Sequence, residues 1–170
     1  KNTFGQNVTI TLFGESHGAA VGAVLDGIAA GLPADETFIA QRLTLRRPQL
    51  ASDTTRKEKD DFRILSGVKD GFTTGAPLTV IVPNEDIRSG DYEQIRNLPR
   101  PSHADYAARI KYGGYEDYRG GGHFSGRVTA ALVAAGAILL QALENKGVII
   151  GSHILSCGKV SDERYSLDPT

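Results

Sequence analysis

The sequence contains a single cysteine, Cys157, and it has no methionine and no tryptophan. One cysteine excludes a disulfide within the chain and a thiolate metal centre, and it is typical of proteins that stay in a reducing compartment. We therefore expect a cytoplasmic protein in which Cys157 is a buried structural residue. The four histidines share no short metal-ligand spacing, so no metal site is expected.

The sequence also lacks an excess of one charge and an uninterrupted hydrophobic run. Its 19 lysines and arginines are balanced by 20 aspartates and glutamates, which excludes a general attraction to nucleic acid or anionic membranes. An anion site must then come from a local group of basic side chains. The longest apolar stretch, Val128–Leu143, contains Thr129, Gln141 and many small residues. This composition predicts a buried helix rather than a membrane span.

Glycine, by contrast, is abundant, with 20 among 170 residues, well above the usual ~7%. The glycines cluster at positions 14–22, 67–75 and 113–126, and no repeat period links the clusters. Glycine clusters between apolar segments mark places where the backbone turns sharply or approaches a ligand closely. The chain length fits one domain with a substantial core.

Periodicity predicts four strands, two helices and two long loops. The strands are Val8–Phe13, Ala20–Ile28, Leu78–Val82 and Val148–Leu155; the helices are Asp35–Arg47 and Ser125–Asn145; the loops are Gln49–Asp61 and Asn84–Tyr118. Strands and helices do not alternate strictly, which favours an α+β protein over a doubly wound sheet.

The first loop with chemical character is Gly14-Glu15-Ser16-His17-Gly18. A histidine on a tight glycine turn at a strand end is expected to expose its imidazole, a group suited to proton transfer near neutral pH. In the alternative interpretation, Ser16 and His17 only cap backbone groups of the turn.

The second such loop contains Arg100, His103 and Asp105. Asp105 is two residues from the histidine and is a candidate to orient a neighbouring group. The alternative is an ordinary solvated loop.

The third such loop, Tyr118–Thr129, contains Gly120–Gly122 and leads into the long apolar helix. Free N–H groups at a helix N-terminus, with Ser125 and Arg127 beside them, suit a phosphate or carboxylate. The spacing matches neither the dinucleotide-binding nor the Walker A pattern. The alternative is a glycine cap with a solvated arginine.

Other charged groups permit weaker interpretations. Arg46 lies at the end of the first predicted helix, where a cation is favourable by itself, and it is also a candidate to bind an anion. The pairs Asp60-Asp61 and Glu116-Asp117 are expected to be exposed charge.

Taken together, these motifs resemble the chorismate synthase family almost from end to end. The segments that carry the resemblance are Gly14–Gly27, Arg46-Arg47-Pro48 with Thr54-Thr55, Ile64–Val68, Thr73–Gly75, Arg88-Ser89-x-Asp91-Tyr92, Arg100–Asp105 and Tyr118–Gly122 with Ser125-x-Arg127-x-Thr129. The resemblance implies a β-α-β sandwich built from two similar halves. Residues 1–170 would be a single N-terminal part of that domain, with the C-terminal half outside the chain.

The resemblance also implies an activity. Members of the family are lyases of the shikimate pathway, which makes aromatic amino acids; they convert 5-enolpyruvylshikimate-3-phosphate to chorismate and phosphate by 1,4-anti elimination with reduced FMN. A cytoplasmic homotetramer is implied for the full-length protein. Whether NADPH supplies the electrons to FMN or another reductase does so stays open. The isolated chain is expected to be inactive, because part of the site would lie beyond residue 170.

Roles for individual residues follow from the same resemblance. His17 would place a proton near flavin N1, and His103 would assist the departure of phosphate. The implied substrate-binding residues are Arg46, Arg100, Ser125 and Arg127, and the implied cofactor-binding residues are His123, Phe124 and Ser125.

The sequence departs from the family pattern at three places. Ser102 replaces a usual glycine, the residues 123–128 differ from the common motif, and Ser52 stands near a second substrate-binding arginine position. The departure at Ser52 leaves open whether Arg56 or Lys57 takes over that contact. Two other functions are kept as alternatives: a non-catalytic module that binds anions or flavin, and a phosphosugar isomerase without flavin.

Overall fold

The computed structural model describes residues 1–47, 59–85, 92 and 96–164. Several sequence predictions lie outside these residues. They are most of the predicted loop 49–61, the motif positions Pro48, Thr54, Thr55, Arg88, Ser89 and Asp91, the departure at Ser52 and its two candidate replacements, Arg56 and Lys57.

An antiparallel sheet forms the centre of the fold. Its strands and two short hairpins are β1 (Thr3–Gly5), β2 (Thr9–Gly14), β3 (Ala20–Asp26), β4 (Arg63–Ser66), β5 (Val68–Lys69), β6 (Phe72–Thr73), β7 (Leu78–Pro83), β8 (Ser156–Cys157) and β9 (Val160–Ser161). Five of them form one sheet in the order β1-β2-β3-β7-β4, while β5-β6 and β8-β9 pair separately. The predicted strands at 8–13, 20–28 and 78–82 are therefore confirmed.

The helices are α1 (Glu36–Leu45), α2 (Asp105–Tyr112) and α3 (Thr129–Glu144). α1 begins where it does because the Asp35 carboxylate accepts hydrogen bonds from the amides of Thr37 and Phe38, at 2.8 and 3.3 Å. Such a cap satisfies donors that have no partner inside the helix. The two helices predicted from periodicity are confirmed.

The core lies between one face of the sheet and the helices α1 and α3. On that face Val21 is paired with Val82, and Leu25 with Leu78, and all four side chains are buried. α3 contributes a row of buried alanines and Ile138. Small side chains let the helix approach the sheet closely, which explains an apolar helix that contains few large residues.

The segment Gly126–Glu144 is long and apolar enough to cross a membrane by length and composition. Its alanine face nevertheless packs into the core. The prediction of a buried helix is confirmed by this packing.

The structure also corrects three sequence predictions. Residues 148–155 do not form a strand: a strand needs a paired neighbour for its backbone, and none of the strands in the described part of the chain is paired with them. The predicted loop 84–118 contains α2, which ends at Gly113 with a left-handed φ of 64°. Cys157 is exposed rather than buried. The α+β class itself is confirmed: an antiparallel sheet is covered by helices.

Candidate active site

The first histidine lies in the turn between β2 and β3. Gly14 ends β2 with φ 97°, and a β-carbon there would lie 2.7 Å from Cα of Val21, so the turn requires glycine. The turn directs His17 into the protein, where only 7% of the residue is exposed. The prediction of an exposed imidazole is wrong, since other loops cover the turn. The ring of Tyr92 lies edge-on to the imidazole, with ring centroids 5.0 Å apart.

The Asn84 side chain joins the turn to the end of β7. Its Nδ2 donates to the carbonyl oxygens of Glu15 at 2.9 Å and Gly18 at 2.8 Å. Its Oδ1 accepts a hydrogen bond of 2.9 Å from Nε of Arg127. One amide therefore fixes the backbone on both sides of His17 and connects it to the start of α3.

The glycine triplet Gly120–Gly122 lies against the same turn. Its φ angles are 56°, 84° and 52°, all in the left-handed region that favours glycine. The amide of Ser16 donates to the Gly122 carbonyl at 3.0 Å. The triplet is therefore part of the wall around the first histidine.

The triplet also touches the second histidine. A β-carbon at Gly120 would lie 2.5 Å from Nδ1 of His17, and one at Gly121 would lie 2.8 Å from Cε1 and 2.9 Å from Nε2 of His103. Two neighbouring glycines thus contact one imidazole each. The loops that the sequence marked separately meet at this backbone.

His103 belongs to a cluster with Arg100 and Asp105, and it does not lie in a solvated loop. Nδ1 of His103 is 2.5 Å from Oδ1 of Asp105. Arg100 donates to the same carboxylate through Nε at 2.7 Å, Nη2 at 2.9 Å and its backbone N–H at 3.0 Å. Asp105 also begins α2, where the helix dipole favours a negative charge.

The electrostatics of this cluster fix the state of its members. The hydrogen bonds from Arg100 hold the pKa of Asp105 well below its ordinary value, and those with Asp105 raise the pKa of Arg100. An ionised Asp105 favours the tautomer in which Nδ1–H of His103 donates to its carboxylate, and this leaves Nε2, which faces Gly121, as the other ring nitrogen. The alignment is that of a histidine oriented for general acid–base work.

A second cluster centres on Asp60. Nη1 of Arg127 forms an ion pair with Oδ1 of Asp60, with 4% and 3% of the two side chains exposed. Nη2 of Arg127 donates to the Pro83 carbonyl at 2.9 Å. The predictions that Asp60 is exposed charge and that Arg127 could be a solvated arginine are wrong, since the two side chains are buried against each other.

Arg46 binds the other side of Asp60. Its Nη1 is 2.6 Å from Oδ2 of Asp60, and its Nη2 is 3.3 Å from Oγ1 of Thr129. Because 23% of the Arg46 side chain is exposed against 4% for Arg127, Arg46 is the member of this cluster more accessible to a ligand.

The remaining predicted residues lie before α3. Ser125 Oγ accepts the Arg127 amide at 3.3 Å, so it caps the short turn that leads into the helix. Phe124 is 40% exposed, and its ring lies 6.4 Å from that of Tyr112. Phe124 also lines a cavity together with Arg100 and Asp105.

Both ring nitrogens of His123 contact protein oxygens. Nδ1 lies 3.2 Å from the Gly14 carbonyl, and Nε2 lies 3.0 Å from Oδ1 of Asn2. His123 thus ties the glycine loop to β2 and to the N-terminal segment.

The pair Glu116-Asp117 is not simply exposed charge either. Oδ2 of Asp117 accepts a hydrogen bond of 2.8 Å from Nη2 of Arg119. Glu116 and Asp117 are both partly buried. Burial raises the pKa of Asp117, but the hydrogen bonds from Arg119 outweigh it, so the pKa lies below its ordinary value.

The structure therefore brings the predicted residues into two neighbouring groups. His17, His103, Arg100 and Phe124 surround the glycine triplet, while Arg46, Ser125 and Arg127 gather around Asp60. Asn84 links the groups and was not indicated by the sequence, where it is only the polar residue after a strand. Among the described residues, no group of three or more histidine, cysteine or acidic side chains could hold a metal ion.

These features define the class of the protein. It is an α+β protein in which two histidines, one of them beside Arg100, converge on a glycine-rich backbone next to a cluster with two further arginines. This arrangement is suited to proton transfer on an anionic molecule.

Comparisons with known proteins name the family. The chorismate synthase family model matches residues 8–169. The chorismate synthase of Korarchaeum cryptofilum is 49% identical over 166 residues, which cover 97% of this chain and 46% of the relative. That of Wolinella succinogenes is 50% identical over 165 residues, with 96% and 46% covered. A crystal structure of chorismate synthase superposes with a TM-score of 0.67 at 33% identity, covering 92% of this chain and 40% of the other.

The chain belongs to the chorismate synthase family, a family of lyases, and it has the family's fold. It spans about half the length of the curated relatives it matches.

Proposed function

We propose that this chain forms the N-terminal part of a chorismate synthase. The full-length protein would convert 5-enolpyruvylshikimate-3-phosphate to chorismate and phosphate by 1,4-anti elimination. The observation that carries the proposal is the convergence of His17 and His103 on one glycine backbone, with Arg100 bound beside His103. Family membership suggests the substrate and the roles proposed below, and the geometry supports them.

His103 is proposed to serve the leaving phosphate. The Asp105 carboxylate accepts a hydrogen bond from the Nδ1–H of His103, so Nε2 is the atom proposed to donate a proton to, or hydrogen-bond, the departing oxygen. Arg100 lies 3.2 Å from the same imidazole and supplies positive charge where negative charge develops. Preorganised donors of this kind stabilise a transition state more than they stabilise the substrate.

The arginines are proposed to hold the anionic groups of the substrate. A molecule with a phosphate and two carboxylates needs several guanidinium groups, which bind such anions through paired hydrogen bonds. Arg46 and Arg100, which are partly exposed, are the proposed direct ligands. Arg127 is proposed to act next to them, with Ser125 at the turn before α3.

The chemistry of the donor set fits a reduced FMN at the glycine triplet. The triplet places no side chain between the backbone and the imidazoles of His17 and His103, and Phe124 presents an exposed aromatic ring nearby. His17, with His123 and Phe124, is proposed to face the flavin, and His17 would hold a proton at its imidazole there. A reduced flavin supplies electron density that assists the loss of phosphate.

The rest of the site is proposed to lie in the remaining half of the full-length protein, which would assemble as a cytoplasmic homotetramer. The isolated chain would then turn over little or no substrate. Whether NADPH reduces the flavin in this protein is tested by replacing a chemical reductant with NADPH in the same assay.

The test uses the full-length protein with 5-enolpyruvylshikimate-3-phosphate and reduced FMN under anaerobic conditions, with phosphate and chorismate measured together. His103→Ala and His17→Ala should each lower kcat by about 10²–10⁴-fold, the usual contribution of a positioned acid or base. His153→Ala is the control, since His153 lies outside both clusters and its Nδ1 is 3.4 Å from Oδ2 of Asp162. Its rate should stay at the wild-type value.

The two alternatives predict different results. A binding module would bind flavin or phosphate without releasing chorismate. A phosphosugar isomerase would be active in the absence of flavin. Equal turnover with and without reduced FMN would contradict the proposal.

A further inference from the structure

The backbone of Gly120 and Gly121 separates the two histidines. A β-carbon at Gly121 would lie 2.8 Å from Cε1 and 2.9 Å from Nε2 of His103, and only then 3.3 Å from Nη2 of Arg100. Real β-carbons essentially never come within 3.0 Å of a heavy atom in this way. The contact falls on Nε2, which is the nitrogen that Asp105 does not engage.

Gly120 stands in the same relation to His17. A β-carbon there would lie 2.5 Å from Nδ1 of His17 and 2.8 Å from Oγ of Ser16. Neither imidazole has room to withdraw freely: His17 is buried, and His103 is held by Asp105 at 2.5 Å.

The effect of backbone conformation can be separated from the effect of the histidine contact at these positions. Gly114 has φ 83°, almost the same as the 84° of Gly121, yet a β-carbon at Gly114 would meet nothing within 4 Å. Gly158 is the corresponding comparison for Gly120: its φ is 59° against 56°, and a β-carbon at Gly158 would also meet nothing within 4 Å. The chain therefore contains a comparison glycine for each of the two, with nearly the same positive φ but without a contact to a histidine.

We propose that Gly120 and Gly121 are positioning residues that set where the two imidazoles stand, and that the missing side chain of Gly121 keeps Nε2 of His103 accessible to substrate. The proposal rests on the proposed function for its catalytic consequence. Its geometric part, the contact between position 121 and Nε2, is independent of that function.

The first experiment measures the accessibility of Nε2 directly. Full-length protein without substrate is treated with diethylpyrocarbonate, and the labelling rates of His103 and His153 are followed by mass spectrometry of their separate peptides. Gly121→Ala should lower the rate at His103 several-fold relative to His153, and Gly114→Ala should leave the ratio unchanged. An unchanged ratio in Gly121→Ala overturns the proposal.

The second experiment does not depend on a fully native Gly121→Ala protein. Replacing His103 with alanine removes the ring that the added methyl group would strike. Gly121→Ala should therefore lower the thermal midpoint less in the His103→Ala background than in the wild type, while Gly114→Ala should lower it equally in both. Equal losses for Gly121→Ala in the two backgrounds overturn the proposal, because the cost would then be strain alone.

Catalysis provides the third measurement. Gly121→Ala should lower kcat about a hundredfold, the effect of displacing a reacting group by about 1 Å, with a smaller change in KM, and Gly114→Ala should leave both unchanged. If labelling and thermal coupling behave as expected but the wild type makes no chorismate, the proposed function fails and the positioning role stands. If the wild type is active and Gly121→Ala keeps its kcat, the positioning role fails.

Discussion

The guanidinium of Arg127 is paired with the carboxylate of Asp60, and 4% and 3% of the two side chains are exposed. Asp60 also accepts from Arg46 at 2.6 Å. It is itself held in a left-handed conformation with φ 54°. A single carboxylate thus balances two arginines that end one helix and begin another.

Asp60→Asn should therefore destabilise the protein strongly. Removing the charge leaves Arg127 buried without its anion, a change that costs about 3–5 kcal/mol. Urea unfolding of the full-length protein measures this loss. Asp61→Asn is the matched control, because Asp61 is exposed and its replacement should change the free energy of unfolding by less than about 0.5 kcal/mol. Similar losses of stability for the two substitutions would contradict the role of Asp60 as the buried anion that pairs with Arg127.

Asn84→Ala should loosen the turn that holds His17. The substitution removes the hydrogen bonds to Glu15, Gly18 and Arg127, each of which contributes about 1 kcal/mol net. We expect a loss of about 2–3 kcal/mol in the free energy of unfolding. A fall in kcat should accompany it. Asn97→Ala is the comparison, since Asn97 is exposed and its Oδ1 accepts a hydrogen bond from Arg109, away from the histidines. It should leave kcat unchanged.

The lowered pKa of Asp105 predicts that the stability of the protein depends on pH. Its pKa is lower in the folded protein than in the unfolded chain, so it stabilises the fold above its unfolded pKa, near 3.9. That contribution is lost as the pH falls below this value toward the folded pKa. Asp105→Asn should therefore be less stable than the wild type at pH 7, and the difference should shrink below about pH 4. Unfolding curves at several pH values test this; a difference that grows toward acid pH would contradict it.

Ser102→Gly should stabilise the protein. Ser102 has φ 61°, a conformation that costs a non-glycine residue about 1 kcal/mol, and it occupies the position where the family pattern has glycine. The thermal midpoint should rise. Ser152→Gly serves as the control, because Ser152 is not among the residues with positive φ and glycine there should lower stability slightly.

Much of the fold was predictable from local pattern. The strands at 9–14, 20–26 and 78–83 follow from alternating or continuous apolar residues, and α1 follows from the capping Asp35. The failure at 148–155 has a different origin, since strand pairing depends on a neighbour that sequence period does not reveal. α2 was missed because its eight residues lie in a long stretch interrupted by prolines before it and glycines after it.

The candidate site was predictable in its members but not in its contacts. His17 and His103 were marked by their loops, yet Asp60 and Asn84 were not, because their roles depend on partners 67 and 69 positions away. The burial of His17 has the same explanation. Nothing in its own turn indicates that Gly120 covers it.

The contact between His123 and the Gly14 carbonyl joins residues 109 positions apart. Closing so long a loop is entropically costly, and contacts of large sequence separation slow the folding of a domain. The helices and the β2–β3 hairpin can form from local sequence, while the wall around the histidines requires the chain to return almost to its beginning. During refolding, the chemistry of this site should therefore recover after the far-ultraviolet helix signal.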